Sequence, residues 1–212
     1  MIQLSAEKGL IFRITHIDNV PWVLENGLHS SRSSVRDPNY RNIGNPDLIE
    51  KRHHREVPIP PGGTLSDYIP FYFTPYSPML LNIKTGYNGM KQTPMPEIVI
   101  LMTSLHRLAK QGISFVVADR HAYLATAKFV GDLSGLGHLD WKILQERDFK
   151  RDPNDPGKFE RYQAEALIRD HLPLETLTGI LCYGPQQEAH LQALVTAKDC
   201  PTRVVTRRDC YF

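Results

Sequence analysis

One residue whose type could do chemistry is Glu165, in the segment RYQAEALI at residues 161–168. A carboxylate held against a sugar carbon can stabilise the positive charge that develops there in a transition state, as glycosidase carboxylates do. Because the segment offers only one strong carboxylate candidate, it favours glycosyl transfer to a bound acceptor over hydrolysis by two carboxylates. Alternation on a strand would place Gln163 and Glu165 on one face, whereas a helix would set them apart.

A second candidate site follows a predicted buried strand. Residues 115–122, FVVADRHA, run from four apolar side chains into a charged triplet. His121 could accept or donate a proton near neutral pH. Asp119 and Arg120 are explained equally well as a structural ion pair.

The segment RITHIDN, residues 13–19, lies where a predicted strand ends and a predicted helix begins. Polar side chains and free backbone N–H groups meet at such a junction, so Thr15 and His16 could hydrogen-bond a ligand amide or ribose. The alternative is that His16 only caps the turn.

Aromatic residues dominate the segment DYIPFYFTPYSPM at residues 67–79. On a strand, Tyr72 would lie on one face and Phe71 and Phe73 on the other. We expect the two phenylalanines in the core. Tyr72 could stack on a flat ring such as nicotinamide or a base, with core packing as the alternative.

Basic residues form local clusters although the net charge is only +2. Clusters of this kind can follow the phosphates of a nucleic acid, or they can be an ordinary solvated surface. The densest cluster consists of Lys51, Arg52, His53, His54 and Arg55, and the others consist of Arg203, Arg207 and Arg208 and of Arg147, Lys150, Arg151, Lys158 and Arg161.

The elements that must position these residues mix without strict βαβ alternation, which predicts an α+β fold. Strands are predicted at 10–15, 70–74, 97–102, 114–118, 179–183 and 202–206, and helices at 19–26, 104–111 and 185–198. Residues 30–63 and 150–157 are predicted loops, and the length of the first indicates a functional one. Leu181, Leu191, Leu194 and Val204 are expected to face the core. The sequence contains neither GxGxxG after a strand nor GxxxxGK[ST], which argues against a Rossmann turn or a P-loop.

The length of 212 residues predicts one domain, 1–212, with a real core. Three cysteines without a CxxC pair argue against a disulfide framework or a structural zinc site, and no metal ion is expected. The chain has no apolar run of about 18–20 residues and no signal-peptide pattern at its start. These features predict a cytoplasmic protein that does not bind a membrane.

Taken in order, FRITHIDN with VLENGL, LSDYIPFYFTPYSPM, FVVADRHAYLA and RYQAEALI resemble the DarT family of DNA ADP-ribosyltransferases. These segments span roughly residues 10–183. The opening segment also resembles RNA 2′-phosphotransferases, which share the ADP-ribosyltransferase fold.

The resemblance implies a split, twisted β-sheet core with surrounding helices and a cleft for NAD⁺ as substrate. It implies transfer of ADP-ribose from NAD⁺ to thymidine in single-stranded DNA, and a toxin paired with a macrodomain antitoxin, DarG. Glu165, rather than Glu160, would be the catalytic glutamate, with His121 near the reacting ends and Arg52, chosen over Arg55, orienting the base or phosphates. The implied NAD⁺-binding residues are Arg13, Thr15, His16, Asn19 and Tyr72, and the implied DNA-binding residues are Lys51, Arg52, His53, His54 and Arg55.

Other functions stay open at this point. An NAD⁺-dependent RNA 2′-phosphotransferase would need basic residues around a terminal phosphate and no such carboxylate. A non-enzymatic single-stranded nucleic-acid-binding module would use Glu165 only structurally. A protein-modifying transferase is excluded only by the resemblance.

Overall fold

A computed structural model describes residues 2–212 of the chain. Its strands are β1 Leu10–His16, β2 Leu28–His29, β3 Tyr68–Tyr72, β4 Ile98–Ser104, β5 Phe115–Ala118, β6 Phe129–Val130, β7 Glu165–Arg169, β8 His171–Leu172, β9 Gly179–Cys182 and β10 Arg203–Thr206. Eight of them form one sheet in the order β10-β9-β4-β1-β3-β7-β5-β6, and β2 and β8 form a separate antiparallel pair. The only parallel pair in the described part of the chain is β9 with β10, as expected for an α+β fold.

The large sheet is divided in its middle. Between β1 and β3 the register contains one residue pair, Phe12 with Tyr72, whereas β1 pairs with β4 along its whole length. The four strands on either side of this junction therefore form two halves that separate at their ends. The predicted split sheet of the ADP-ribosyltransferase fold is confirmed.

Helices surround the sheet. They are α1 Val20–Asn26, α2 Pro46–Arg52, α3 Pro78–Thr85, α4 Leu105–Lys110, α5 Trp141–Glu146, α6 Lys158–Arg161 and α7 Pro185–Ala197. The first ends where the sequence predicts, at Gly27, whose φ of 74° few other residues adopt. A Cβ atom at this position would lie 2.5 Å from the Leu172 carbonyl oxygen, so the close approach of β8 also requires glycine.

The core lies on both faces of the sheet. Phe71 and Phe73 are fully buried and Tyr72 is half-buried, as the alternation predicts. Leu181, Leu191 and Val204 are buried and Leu194 packs against them, also as predicted. Within residues 2–212, no helix is long and apolar enough to cross a membrane.

The structure contradicts one prediction about local structure, the loop at 30–63, and decides one open alternative, the placement of Gln163 relative to Glu165. Residues 30–63 are not a continuous loop, because they contain α2. Strand β7 begins at Glu165, so Gln163 does not alternate with it. Gln163 instead follows α6, and its side-chain amide donates to the Phe159 carbonyl oxygen. The predicted loop at 150–157 is a series of turns closed by a bridge between Asp152 and Asp155.

Candidate active site

Glu165 is buried at the start of β7, between two other strands. Its Cα is in register with Tyr72 of β3 and with Ala118, the last residue of β5. The residue is only 1% exposed. Burying a carboxylate is costly unless hydrogen bonds and opposite charges compensate for the lost water, so its partners define the site.

Three donors surround the Glu165 carboxylate. Oε2 accepts from Nη1 of Arg52 at 2.9 Å, and Oε1 accepts from the Ala122 backbone N–H at 2.9 Å. Nδ1 of His121 lies 3.0 Å from Oε1. Burial raises the pKa of Glu165, but the charge of Arg52 and the contact with His121 outweigh it and lower the pKa to about 2. Glu165 is therefore ionised at neutral pH.

The contact with Glu165 decides the tautomer of His121. An ionised carboxylate only accepts hydrogen bonds, so Nδ1 carries the proton. The Tyr123 backbone N–H also points to Nδ1, at 3.3 Å, and would need it as an acceptor. The shorter contact with a charged partner is the stronger one. In the neutral ring Nε2 then has a free lone pair.

Arg52 reaches Glu165 from the last residue of α2. This helix begins at Pro46 behind Asn45, whose side chain accepts from the Leu48 N–H at 3.1 Å. The Arg52 side chain is 11% exposed, and its Nη2 is buried without a hydrogen-bond partner among the described residues. Arg55 lies elsewhere: its Nη2 donates to the Leu124 carbonyl oxygen at 3.0 Å.

A cavity of about 340 Å³ opens beside the junction of β1 and β3. Arg13 and Arg52 both line it. Nη1 of Arg13 crosses the junction to the Pro70 carbonyl oxygen at 2.9 Å, while its Nε is buried without a partner in the described part of the chain. Each of these two arginines therefore has one buried N–H group without a hydrogen-bond partner among the described residues. Such a wall fits a ligand that is anionic or rich in hydrogen-bond acceptors. The other walls include Trp22, Leu28, His29, Tyr40, Ile49 and Tyr68.

Thr15, His16 and Asn19 do not line this cavity. All three are buried and bonded within the protein. Nδ1 of His16 accepts from the Asp18 N–H, and Nε2 lies 3.1 Å from Glu97. His16 therefore caps the turn, which the sequence offers as the alternative to ligand binding.

Asn19 holds the segment that covers the cavity. Its side chain bonds both the N–H and the carbonyl oxygen of Arg41, at 2.8 and 3.0 Å, and donates to Thr15 Oγ1 at 3.0 Å. Residues 35–42 contribute several lining side chains. Asn19 therefore positions one wall.

Tyr72 lies next to Glu165 in the sheet. Burial, together with the charge of Glu165, raises the pKa of its phenol, so Tyr72 stays protonated at neutral pH. Its hydroxyl donates to Met79 Sδ at 3.7 Å. Tyr72 is not among the residues that line the cavity.

The basic cluster at 51–55 occupies the end of α2 and the residues after it. Lys51 and His54 are exposed, and His54 lies 3.6 Å from Glu50. His53 is half-buried. Of the five, Arg52 contacts Glu165 and half-buried Arg55 bonds the Leu124 carbonyl oxygen, whereas Lys51 and His54 face solvent.

Some parts of the site carried no signal in the sequence. The Ala122 N–H is a backbone donor, so its residue type does not mark it. Trp22 of the cavity wall lies on α1, and His29 lies on β2, a two-residue strand that the sequence does not predict. Asp119 and Arg120 form the expected ion pair, with Nε and Nη2 of the arginine 3.1 and 3.0 Å from the carboxylate oxygens. Residues 2–212 contain no cluster of three or more histidine, cysteine or acidic side chains placed to hold a metal ion.

Comparison with known proteins shows what the chain is similar to. A family model described as DarT, ssDNA thymidine ADP-ribosyltransferase, matches residues 12–212. A DNA ADP-ribosyl transferase of Escherichia coli O127:H6 is 50% identical over 209 residues, which cover 99% of this chain and 96% of that protein.

Two solved structures share the fold. DarT of Thermus sp. 2.9 in complex with ADP-ribosylated ssDNA is 32% identical, with a TM-score of 0.90 and coverage of 100% of both chains. The same protein in complex with NAD⁺ gives a TM-score of 0.83 at 32% identity, covering 97% of this chain and 98% of that one. The similarity spans nearly the whole chain in sequence and in fold.

Proposed function

Because this chain belongs to the DarT family of single-stranded DNA thymidine ADP-ribosyltransferases, we propose that Glu165, His121 and Arg52 form its reaction centre. The enzyme transfers ADP-ribose from NAD⁺ to thymidine in single-stranded DNA and releases nicotinamide. The observation that carries the assignment is the ionised, buried Glu165 with Arg52 on one oxygen and the 121–122 turn on the other.

The cavity beside Arg13 and Arg52 is the NAD⁺ site in this proposal. Its volume of about 340 Å³ and its apolar wall suit a nucleotide. The buried Nε of Arg13 is available to acceptor atoms such as those of a diphosphate. Asn19, which is bonded to Thr15, supports this wall through Arg41, whereas His16 and Tyr72 do not line the cavity.

Glu165 has one acceptor position left for the substrate. A carboxylate offers about four lone-pair sites; His121 and Ala122 take those of Oε1, and Arg52 takes one of Oε2. The remaining site on Oε2 can accept a ribose hydroxyl. NAD⁺, when bound, supplies the ribosyl carbon that loses nicotinamide, and the negative charge of Glu165 stabilises the positive charge that develops there.

His121 and Arg52 act on the thymine. The ring N–H of thymine is a poor nucleophile until its proton is removed. The Nε2 lone pair of His121 can accept that proton, since Glu165 holds the Nδ1 proton. The free Nη2 of Arg52 can stabilise the negative charge left on the base.

A base must leave its stack to reach this site, which favours single-stranded substrate. In the proposal, the cluster of Lys51, Arg52, His53, His54 and Arg55 faces the DNA. Its partner in the cell is a macrodomain antitoxin of the DarG type, as the family resemblance implies. Both substrates of the reaction are found in the bacterial cytoplasm, where we place the enzyme.

The test is mass spectrometry of single-stranded oligonucleotides incubated with the protein and NAD⁺. We expect a gain of one ADP-ribose on strands that contain a thymidine and none on thymidine-free strands. A strand whose only thymidine is 3-methylated should not react, because the N–H is absent. Glu165→Gln should lower the initial rate of this gain by about a thousandfold. Glu160→Gln is the matched control, since that carboxylate lies on α6 and pairs with Arg120, at 3.7 Å, and not with Glu165's partners Arg52 and His121.

Each failure has a separate meaning. Modification of the 3-methylated strand would move the acceptor atom away from the ring nitrogen. Consumption of NAD⁺ without a mass gain would mean that the acceptor is not DNA. Loss of the reaction in Glu160→Gln but not in Glu165→Gln would mean that Glu160 is the catalytic glutamate.

A further inference from the structure

The two oxygens of Glu165 face different parts of the molecule. Oε2 faces Arg52, which lines the cavity, whereas Oε1 faces the turn at residues 121–124. Neither His121 nor any other residue of this turn lines the cavity. If the cavity holds NAD⁺, the turn is the side from which an acceptor base meets the ribosyl carbon.

One aromatic side chain stands on this turn without a partner. Tyr123 is 37% exposed, one of few large apolar residues on the described surface. Its ring stacks on no other ring or cation within residues 2–212, and its hydroxyl makes no hydrogen bond there. Only its backbone takes part in the site, through the N–H that points to His121. The fold therefore gives no structural reason for a tyrosine at this position.

The turn that carries Tyr123 is held firmly. The Leu124 N–H donates to the His121 carbonyl oxygen at 3.0 Å, and Arg55 donates to the Leu124 carbonyl oxygen at 3.0 Å. At the base of the turn, the Asp119 backbone N–H donates to the Lys128 carbonyl oxygen, and the Asp119 carboxylate accepts from the Lys128 backbone N–H. A rigid turn lowers the entropic cost of binding through its side chains.

Arg55 also links this turn to the basic cluster that faces the DNA in the proposed function. An exposed aromatic ring beside cationic side chains is the arrangement by which proteins hold single strands, since the ring stacks on a base while the cations contact phosphates. We propose that Tyr123 is a positioning residue that stacks on the nucleobase adjacent to the target thymidine. This inference rests on the proposed function of the Glu165 site.

The first test compares Tyr123→Ala, Tyr123→Leu and Tyr123→Phe with the wild type in steady-state kinetics. Loss of one stacked base should raise the KM for a single-thymidine oligonucleotide by about ten- to a hundredfold. Phenylalanine should keep nearly all of the wild-type affinity, and leucine should behave like alanine because it lacks a planar ring. The KM for NAD⁺ should not change, because Tyr123 lies outside the cavity. Tyr87→Ala is the matched control: Tyr87 is 62% exposed and does not line the cavity.

The second test removes the other partner of the stack. Oligonucleotides with an abasic site directly 5′ or directly 3′ of the thymidine remove one neighbouring base at a time. With the wild type, one of the two should raise the KM for DNA as much as Tyr123→Ala does. With Tyr123→Ala, the same abasic site should cause little further loss, because the two changes remove one interaction.

The outcomes separate the two proposals. If the wild type modifies no oligonucleotide, the proposed function fails. If it does, the stacking role is wrong in two cases. One is that Tyr123→Ala keeps the wild-type KM for DNA. The other is that the rise in this KM caused by Tyr123→Ala multiplies with the rise caused by each of the two abasic sites, so that neither site is coupled to Tyr123. An equal rise in the KM for NAD⁺ would also overturn it, since that would indicate a disturbed Glu165 site.

Discussion

Replacing Glu165 with glutamine should change both catalysis and the acid sensitivity of folding. Glutamine has nearly the shape of glutamate but no charge, and its amide N–H₂ would oppose one of the donors around the carboxylate. Two unit charges about 4 Å apart interact by roughly 4 kcal/mol at an effective dielectric constant of 20. Loss of that interaction with a positively charged ribosyl carbon corresponds to a fall in kcat of about a thousandfold.

The effect on stability follows from the pKa of Glu165, about 2 in the folded protein against an ordinary 4.5. Because the folded pKa is the lower one, the carboxylate stabilises the fold above about pH 4.5, and this contribution is lost as the pH falls towards 2. A difference of this size corresponds to about 3 kcal/mol at neutral pH, of which about 2 kcal/mol should be gone at pH 3. Glu165→Gln has no such group, so its stability should not show this loss.

The assay is urea unfolding of both proteins at pH 7, 5 and 3, with transfer rates measured at pH 7. The difference in unfolding free energy between wild type and Glu165→Gln should be largest at pH 7 and should shrink by about 2 kcal/mol at pH 3. Other carboxylates titrate in both proteins and cancel in the difference. A difference that stays constant from pH 7 to pH 3 would refute the argument that Arg52 and the 121–122 turn hold Glu165 ionised.

Three further substitutions test the neighbouring contacts. His121→Asn keeps a side-chain donor but removes Nε2, so kcat should fall by about 10²- to 10⁴-fold in steady-state kinetics; a smaller loss would exclude His121 as the proton acceptor. Arg52→Lys removes the planar fork and should lower kcat by about 10²-fold, whereas Arg55→Lys should retain most of it, and equal losses would contradict the assignment. Asn19→Ala should lower the unfolding free energy, measured in urea, by about 1–3 kcal/mol, and it should raise the KM for NAD⁺ because it releases Arg41. A loss of stability without a change in this KM would show that Asn19 has a purely structural role.

The sequence predicts those elements whose apolar pattern is strong. The two halves of the sheet contain six predicted strands, and the observed boundaries differ by at most two residues, as at β3 and β4. Helices α1, α4 and α7 are also found where caps, glycine stops and apolar spacing indicate them. In these elements, local preference and burial favour the same structure.

Helix α2 shows why other elements escape such a prediction. None of its seven residues is buried, so it has no apolar face whose spacing could reveal it. The local signs are Asn45 as its cap and Pro46 at its first position. Both also occur in loops, so these local signs do not distinguish the helix from a loop. Strand β7 is obscured in a different way, because a charged residue begins it and the next three residues are all buried.

The proposed reaction centre depends on contacts between residues far apart in the chain. Arg52 and Glu165 are separated by 113 positions, and no spacing rule connects them. The resemblance to known proteins selects Arg52 over Arg55, and the structure gives the physical difference between them: Arg52 contacts the carboxylate, and Arg55 holds the turn on its other side.

The division of the sheet gives Glu165 two different sides, which suits the proposed meeting of NAD⁺ and an acceptor base at one carboxylate. Where β1 and β3 separate, backbone groups such as the Pro70 carbonyl oxygen are free for Arg13, and the cavity opens between the halves. On the far side of β7, strand β5 ends level with Glu165 and continues into the turn with His121. Glu165 thus lies between a cavity on one side and a rigid turn on the other. Apart from Arg52 and His121, which contact Glu165 itself, a substitution in the cavity wall should therefore act mainly on the KM for NAD⁺, and one on the turn surface mainly on the KM for DNA.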